Sequence, residues 1–565
     1  MTSENSPKNE NEKRLFLALI LSTGVLLVTP YFFRSMGLEQ QPAIPETIQT
    51  ESHREAPAGP GEFIPVPLVL GTKEISVEDI SGSDRTFSLS NRDLEVRVAT
   101  RGGILESIRL LQYLDDRGEP LELIDQNAPP EVPRPMALEF PDPVLQRELT
   151  NAIYRVTPDP QFGGRSVRKY TFTYQRGPLR IDRTLSLPEQ GYVMDLSTRV
   201  TRTGQPVPFR ISLGGGTGAA TEAARADFLY PKASIYRDEG VTHYYADDVE
   251  GVVSVPSAGW VSMDTQYFAR ILLGEALHDV QVSTVNWTLP DGTVAQIVSA
   301  AASGEEARLV VGPKATELLG AIDESLPGVV DYGILAILVK PLLFLLKSVY
   351  SVVNNYGFSI IILTFLINLA LVPVRYKQIV SMKKMSALQP KMKEIQNRYK
   401  NVSAKDPKKQ EMNKEVMALY KEHGVNPLGS CLPLLVQMPF LIAFYQMLSA
   451  SVELRGAPFI LWVQDLASYD PFYVTPILMG ATMVIQQKLS PGAGDPNQRR
   501  MMMLMPVIFT VFFLKVASGL ALYFLFSNLF GILFQKGVER VSPELASKPE
   551  KRKSTPKGPS RGHVK

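Results

Sequence analysis

Uncharged polar side chains recur inside the longest apolar segments of this 565-residue chain. Thr364 and Asn368 lie four positions apart, so a helix would place both on one face, and Arg375 follows seven positions later on that face. Polar groups surrounded by lipid are costly unless they face water or one another. We therefore expect these side chains either to form hydrogen bonds between helices or to line a shared polar cavity open at one end. The other members of the set are Ser430, Gln437, Tyr523, Ser527 and Asn528.

Residues suited to other kinds of chemistry are sparse or badly spaced. The single cysteine, Cys431, excludes an intramolecular disulfide and a cysteine-based zinc site. The five histidines show no HExxH spacing. The glycine run 214–218 is not followed by Gly-Lys-Ser/Thr, which favours a loop between strands over a phosphate-binding loop. We predict no catalytic residue, no metal, no cofactor and no nucleotide hydrolysis.

Charge and hydropathy divide the chain into two parts. The chain has 59 basic and 57 acidic residues, yet residues 35–330 contain 26 basic residues against 41 acidic ones. Nearly all long apolar runs follow that part, which is typical of a membrane protein with one large soluble domain. A separate uncharged run, 15–33, is close to the ~20 residues that cross a bilayer. No small-residue cleavage site follows it, which favours a membrane anchor over a signal peptide.

Five further membrane spans are predicted after residue 356. Several are shorter than about 20 residues, and a locally thinned bilayer accommodates short spans at modest cost. Lys515 and the break at Ser518 separate the last two, which favours a tight helical hairpin over one long helix with a lysine at mid-membrane. The five predicted spans are 357–374, 428–448, 471–487, 501–514 and 519–534.

The segment before these spans, 334–355, is apolar but carries Lys340 and Lys347 on one face. Pro341 makes a straight crossing unfavourable. The pattern therefore favours an amphipathic helix at the membrane interface over a seventh crossing.

The distribution of basic residues predicts the orientation. Loop 375–427 has thirteen basic and five acidic residues, and the tail 536–565 has nine and three. Loop 449–470 has one basic and three acidic residues. By the positive-inside rule, both termini and the basic loop are cytoplasmic, and loop 449–470 lies outside. The remaining predicted boundaries are a cytoplasmic N-terminus at 1–14, a linker outside at 34–70, a β domain outside at 71–325 and a cytoplasmic loop at 488–500.

The large soluble part has the pattern of a β protein. Apolar and polar residues alternate in 94–98, 170–174 and 209–213, as in half-buried strands. Asp291-Gly292 lies between two strand-like runs and indicates a hairpin turn. The length of the region favours one large β-sandwich.

The basic loop reads as two amphipathic helices. Apolar residues repeat at steps of three and four over 378–399, and a second helix is predicted to begin with Asp406 as its N-cap. The two stripes either pair with each other or offer methionines to apolar clients, anionic lipid or ribosomal RNA. The tail 536–565 is either a phosphate-binding segment or a topology signal. The candidate contact residues in this hairpin are Met382, Met385, Met392 and Met412.

Several short motifs resemble those of the YidC membrane protein insertases of the type with a large periplasmic domain. The motifs are DYG (331–333), VNPLG (425–429), LLVQMP (434–439), SVELR (451–455), DP (470–471), PILMG (476–480), MPVIFTVFFL (505–514) and SGLALY (518–523). In the soluble part, Gly259-Trp260 and Gln266-Tyr-Phe268 fit the same family. The resemblance runs from about 85 to 540 and is most specific after 331.

This resemblance implies a multi-domain protein of the bacterial inner membrane, with an all-β periplasmic supersandwich and an α-helical transmembrane core. It implies six spans, five of them in the core, around a hydrophilic groove open to cytoplasm and lipid. Clients are nascent membrane proteins, expected to move along 428–448 and 519–534. The family acts alone or beside the Sec translocon, without a cofactor. The resemblance offers no reason to expect DNA binding.

One position departs from the family pattern. The family usually carries a groove arginine in the first core helix, where this chain has Asn368. We expect Thr364, Asn368 and Gln437 to keep the groove wet as neutral groups, with Arg375 supplying charge nearer its mouth.

The sequence leaves two alternatives to insertion. The β domain, with His243 and His278, suggests an anchored carbohydrate-active enzyme, although surface histidines are the commoner situation. That function predicts loss of activity when the β domain is deleted. A solute transporter is disfavoured because the apolar segments show no inverted repeat.

Overall fold

The computed structural model describes residues 84–541 except 116, 127, 159–168, 216–231, 289–293, 400–406, 425–431 and 490–495. The chain divides into two compact units at Val330. We call the described residues before this point the β unit and those from Asp331 onward the helical unit. The predicted segments 1–14, 15–33 and 34–70, and most of the basic tail 536–565, lie outside the described residues.

The β unit consists mainly of antiparallel strands. Its strands are β1 (Thr86–Ser90), β2 (Leu94–Ala99), β3 (Leu105–Leu114), β4 (Pro120–Glu122), β5 (Leu138–Glu139), β6 (Arg155–Pro158), β7 (Lys169–Arg176), β8 (Leu179–Ser186), β9 (Val193–Arg202), β10 (Gln205–Pro206), β11 (Arg210–Gly215), β12 (Lys232–Arg237), β13 (Gly240–Tyr244), β14 (Val252–Asp264), β15 (Phe268–Thr288), β16 (Val294–Ser303) and β17 (Glu306–Pro313). Its helices are α1 (Pro143–Thr150) and α2 (Thr316–Ile322). The prediction of a β-rich soluble part is confirmed, and Asp291-Gly292 lies outside the described residues.

The strands form one sheet of four strands, β1 to β4 in chain order, and one branched sheet of thirteen. The larger sheet runs β13-β12-β14-β15-β17-β9-β8-β7-β6. Strands β16, β11 and β5 form a branch from β15. The alternation predicted in β2 and β7 is that of strands with one face more buried than the other, because side chains alternate across a sheet. In β11, by contrast, residues on both faces are buried.

The branch arises within β15, which changes partner along its length. From Phe268 to Leu273 it pairs with β17, and from His278 onward it pairs with β16. Leu277 fills the fork between these partners. A methyl group on Gly274 would lie 3.1 Å from the Leu277 side chain, and one on Gly304 would lie 2.9 Å from it. The absence of both side chains therefore lets Leu277 close the fork.

The helical unit consists of apolar helices and a hairpin of two polar helices. Its helices are α3 (Ala336–Val353), α4 (Tyr356–Ala370), α5 (Val372–Ala387), α6 (Gln389–Arg398), α7 (Pro407–Glu422), α8 (Leu432–Ala450), α9 (Val474–Leu489), α10 (Pro496–Phe513) and α11 (Ser518–Val541). Helix α11 packs against α4 and α9, α9 also packs against α10, and α3 packs against α4 and α8.

The structure corrects two predicted helix bounds. The span predicted at 357–374 ends as a straight helix at Ala370, and the chain bends by 61° into α5. Pro373 lies in the first turn of α5, where its missing N–H removes a bond that a straight helix needs. The stripe predicted as one helix over 378–399 is likewise interrupted at Leu388, just before Pro390 in α6.

Two methionines of the predicted hairpin belong to its own core. Met385 and Met392 are buried with Leu388 and Tyr420, and Val416 packs against them. The two stripes therefore pair with each other at these positions. Met382 and Met412 are half-buried. Asp406 lies outside the described residues.

A charge cluster around the buried Arg210 joins β5 and β11 in the β unit. Burial raises the pKa of Glu139 to about 6, although the Arg210 guanidinium and a hydrogen bond from Ser212 oppose this rise. Arg210 also donates to the Asp279 carboxylate at 3.0 Å. A cavity of about 60 Å³ adjoins Glu139 and is also lined by Glu131.

The raised pKa predicts pH-dependent stability of this strand pair. In the folded state Glu139 binds its proton more tightly than a carboxyl with the ordinary pKa of 4.5. The protonated side chain therefore contributes to stability at low pH, and this contribution is lost as pH rises through about 6. Glu139→Gln should therefore stabilise β5 and β11 by at most about 2 kcal/mol at pH 7.5 and by little at pH 4.5.

Hydrogen exchange of peptides covering 136–140 and 210–215, corrected for intrinsic rates, measures this difference. Glu131→Gln removes an exposed carboxyl beside the same cavity and serves as the control. Equal stabilisation of the Glu139→Gln variant at both pH values would contradict the prediction.

Candidate functional site

Exposed apolar side chains cover the outside of the helical unit. A water-soluble protein rarely exposes so large a continuous apolar surface, so these faces are suited to lipid. Examples from four helices are Ile337 and Phe344 of α3, Phe365 and Leu369 of α4, Ile477 and Ile485 of α9, and Leu504 and Val511 of α10. Among the described residues, Ala336–Val353 and Ser518–Val538 are each long and apolar enough to cross a bilayer, and the bent pair α4–α5 also qualifies when it is counted as one span.

The predicted polar residues of α4 face the interior of the unit. Thr364 is fully buried and donates to the Ile360 carbonyl at 2.6 Å. Asn368 is 7% exposed, and its Nδ2 donates to the Thr364 carbonyl at 2.7 Å. The Asn368 Oδ1 is buried without a hydrogen-bond partner among the described residues. An unpaired buried acceptor costs about 1–3 kcal/mol, so this atom is ready to accept a hydrogen bond.

A polar seam runs between α9 and α11, the most closely packed helix pair of the unit. Asn528 donates to the Thr482 hydroxyl at 3.4 Å, and Gln535 donates to the Leu489 carbonyl at 2.8 Å. Ser527 is also buried on α11. These contacts satisfy polar groups along the buried side of two helices whose other sides are apolar.

Arg375 reaches this seam from α5. A methyl group built on Gly531 of α11 would lie 2.8 Å from Arg375 Nη1 and 2.7 Å from Gln486 Nε2. The missing side chain of Gly531 therefore leaves the space that both polar ends occupy. Arg375 also lies close to Tyr523 of α11.

Tyr523 connects the seam to α8. Its ring is buried and stacks on Phe444 at a centroid distance of 4.2 Å. The structure thus brings Arg375 and Tyr523 together, and it places Thr364, Asn368, Ser527 and Asn528 in the interior. Ser430 and the side chain of Gln437 lie outside the described residues.

The opposite end of the bundle is covered by residues 451–473, which we call the cap loop. Phe459 lies where a side chain on Gly357 would be, at the start of α4. Asn355 donates to the Pro458 and Phe459 carbonyls at 3.3 and 3.0 Å. The amide of Gly519, at the start of α11, donates to the Leu466 carbonyl at 2.9 Å. The cap loop therefore closes the end of the bundle that is remote from Arg375.

Two family profiles match most of the described chain. The family described as "60Kd inner membrane protein" matches residues 348–544, and the "YidC periplasmic domain" matches residues 86–345. A membrane protein insertase YidC of Cupriavidus necator is 32% identical over 553 residues, covering 94% of this chain and 97% of that protein. The chain belongs to the YidC family.

Other YidC insertases are also similar to this chain. The one from Syntrophus aciditrophicus is 32% identical over 561 residues, covering 92% of this chain and 98% of that protein. The one from Wigglesworthia glossinidia brevipalpis is 43% identical over 289 residues, covering 50% of this chain and 52% of that protein. The similarity to the first two spans both units of this YidC chain.

Sequence reasoning missed the α9 side of the seam. Thr482 and Gln486 are four positions apart, so they share a helix face in the same way as Thr364 and Asn368. This spacing was the available signal. Gly531 gave no such signal, because the space beside a glycine becomes visible only when its neighbours are placed.

Gly531→Ala should separate packing in the seam from helix propensity. Alanine favours a helix over glycine by about 1 kcal/mol, so Gly537→Ala, with no neighbour within 4 Å of the added methyl group, should raise the thermal midpoint. Gly531→Ala displaces the ends of Arg375 and Gln486 and should lose about 1–2 kcal/mol relative to this control. Circular dichroism at 222 nm on detergent-purified protein measures both midpoints, and equal upward shifts would show that the seam has room for a side chain.

Proposed function

We propose that this YidC-family chain is a membrane protein insertase and chaperone of the inner membrane, not an enzyme. The observation that carries the proposal is the buried polar seam, which ends at Arg375 and is surrounded by lipid-suited helix faces. A partly polar path of this kind suits the passage of polar peptide into a bilayer. Its clients are nascent membrane proteins.

The physical advantage of the seam lies in the cost of an unpaired peptide group. Burying such a group in hydrocarbon costs several kcal/mol. A client segment that lies along Asn368, Asn528 and Gln486 finds hydrogen-bonding partners before it forms its own helix. The seam therefore reduces the number of client groups that face lipid unpaired at one time.

Short helices support the same function. Helix α4 has 15 residues and α9 has 16, so each rises only about 22–24 Å, whereas the hydrocarbon core is about 30 Å thick. A bilayer that matches these helices must become thinner around them. A thinner barrier exposes less of a crossing segment to hydrocarbon.

The finer topology belongs to this proposal. We infer six spans, five of them in the core, with both termini and the hairpin in the cytoplasm and the β unit in the periplasm. Helix α3 lies at the membrane interface in this arrangement, and Lys347 is fixed by its 2.7 Å contact with Glu453 of the cap loop. The Sec translocon and the ribosome are proposed partners, the latter through the basic hairpin and tail.

Within the groove, Asn368 and Arg375 have different tasks. Asn368 is neutral and contributes an unpaired acceptor at depth, where a fixed charge would be expensive. Arg375 contributes a positive charge at the end of the seam beside Gly531. The proposed groove residues are Thr364, Asn368, Arg375, Ser430, Gln437, Tyr523, Ser527 and Asn528.

Asn368→Leu tests the polar path directly. Leucine is similar in size but removes both hydrogen-bonding groups, so insertion of a small single-span client into nucleotide-free proteoliposomes should slow about fivefold, which corresponds to about 1 kcal/mol. Asn413→Leu makes the same chemical change at an exposed position of α7 and should leave the rate unchanged. Wild-type rates for both variants would refute the role of Asn368.

Deleting residues 86–325 distinguishes insertion from carbohydrate chemistry in the β unit. The two units are separately compact, so the remaining chain should insert the same client at a rate within about twofold of the full chain. The same proteoliposome assay measures this rate, with protein amounts matched by immunoblot. Complete loss of insertion in a properly integrated deletion variant would place the activity in the β unit.

A further inference from the structure

The cap loop presents a crown of uncharged apolar and aromatic side chains to its surroundings. Leu461 is 73% exposed and Phe472 is 65% exposed. The other exposed members of this crown are Ile460, Tyr469 and Tyr473. Trp462 lies beside them, with its ring edge-on to Phe472 at 6.0 Å.

The crown rests on a well-bonded scaffold. Asp470 is 2% exposed and accepts hydrogen bonds from the Trp462 indole at 3.0 Å, the Phe472 amide at 3.0 Å and Thr475. Burial tends to raise the pKa of Asp470, but these hydrogen bonds outweigh burial and hold the pKa below its ordinary value. Asp465 accepts from the Ala467 amide and the Ser468 hydroxyl. Both carboxylates are thus used within the loop, and the crown itself stays uncharged.

The backbone holds two crown residues in an unfavourable conformation. Leu461 has φ 55° and Tyr473 has φ 56°, in the left-handed region that bulky residues seldom adopt. Such conformations persist only where the surroundings impose them. A loop that served only to connect helices would be more stable with glycine at either position, whereas here Leu461 is 73% exposed and the Tyr473 ring stacks on the similarly exposed Tyr469.

We propose that this crown is a lipid-binding surface that sits in the interfacial region of the bilayer at the end of the bundle remote from Arg375. The partner is the lipid surface itself, because the crown continues the exposed apolar faces of Phe358 on α4 and of Ile477 and Leu478 on α9. Tyrosine and tryptophan suit the boundary between acyl chains and headgroups. Because α4 and α9 are short, the cap loop at their ends lies at the depth of this boundary.

This surface gives the cap loop a task beyond closing the bundle. Because the crown binds in the interfacial region, the boundary between acyl chains and headgroups stays level with the ends of α4 and α9. The bilayer must then adapt to the length of those helices, which produces the thinning that insertion requires. The inference rests on the proposed function for this consequence, but lipid contact by the crown is measurable without it.

Trp462 is a built-in reporter of this contact. The chain has three tryptophans, and the other two, Trp260 and Trp287, are buried in the β unit. The full chain is reconstituted into nanodiscs whose lipids carry bromine at shallow or deep acyl positions. The difference in fluorescence between the wild type and Trp462→Phe isolates the signal of Trp462. We expect quenching of this signal, stronger with shallow than with deep bromine.

A pair of variants tests whether the crown itself makes the contact. Replacing Leu461 and Phe472 by serine should reduce the quenching of Trp462 about twofold, because two exposed apolar groups leave the interface. The control replaces Leu114 and Val294, which are similarly exposed on the β unit, and should change nothing. Quenching of Trp462 by aqueous iodide but not by brominated lipid would overturn the proposal, as would crosslinking of a photoreactive residue at 472 to protein instead of lipid.

Leu461→Gly separates lipid contact from loop folding. Glycine accepts the positive φ, so the cap loop should keep or increase its thermal stability while lipid quenching of Trp462 falls. Lower stability with unchanged quenching would mean that Leu461 serves the fold alone. Insertion by the wild-type chain is a separate readout: quenching of Trp462 by brominated lipid without any insertion of the client would refute the proposed function and leave the lipid contact standing.

Discussion

A polar group that leaves water must find another partner, and the helical unit is arranged around this constraint. Each backbone or side-chain group left unpaired in hydrocarbon costs several kcal/mol, so a membrane protein normally hides such groups completely. Here the buried sides of α4, α9 and α11 carry amides and hydroxyls that bond to one another or to nearby carbonyls. On α4, Asn368 Oδ1 is left without a partner among the described residues, so this buried acceptor can still accept a hydrogen bond.

Polar groups are paired in different ways at the two ends of the bundle. At the cap loop, Asp470 and Asn355 use their hydrogen-bonding capacity within the protein, and Phe459 fills the space beside Gly357. At the other end, Gly531 leaves a space in which a guanidinium and an amide lie together. One end is therefore packed shut while the other keeps polar atoms grouped together. In the function proposed above, a client enters at this polar end and leaves sideways into lipid.

The sequence allowed the character of each unit to be predicted more reliably than the exact bounds of its elements. Alternation identified β2 and β7 because one face of each strand is more buried than the other. It also located β11, although both faces of that strand are buried. The bend at Leu371 was missed although Pro373 was visible, since proline in a first helical turn is compatible with either a new helix or a kink. In the site, four-residue spacing identified Thr364 and Asn368. The same rule would have found Thr482 and Gln486, but the space at Gly531 depends on how α5, α9 and α11 approach one another, which no single segment encodes.

The bend between α4 and α5 explains how the chain combines a neutral interior with a usable charge. A charge on α4 at the depth of Asn368 would bear a large desolvation cost unless water reached it. Arg375 lies beyond the bend, seven positions after Asn368, and is held against Gly531 and Gln486 where polar groups are concentrated. Because Pro373 weakens the helix between these two residues, the guanidinium can meet α11 without carrying charge through the apolar part of α4. The position of the bend thus determines where the neutral polar side chains of α4 end and the positive charge of Arg375 begins.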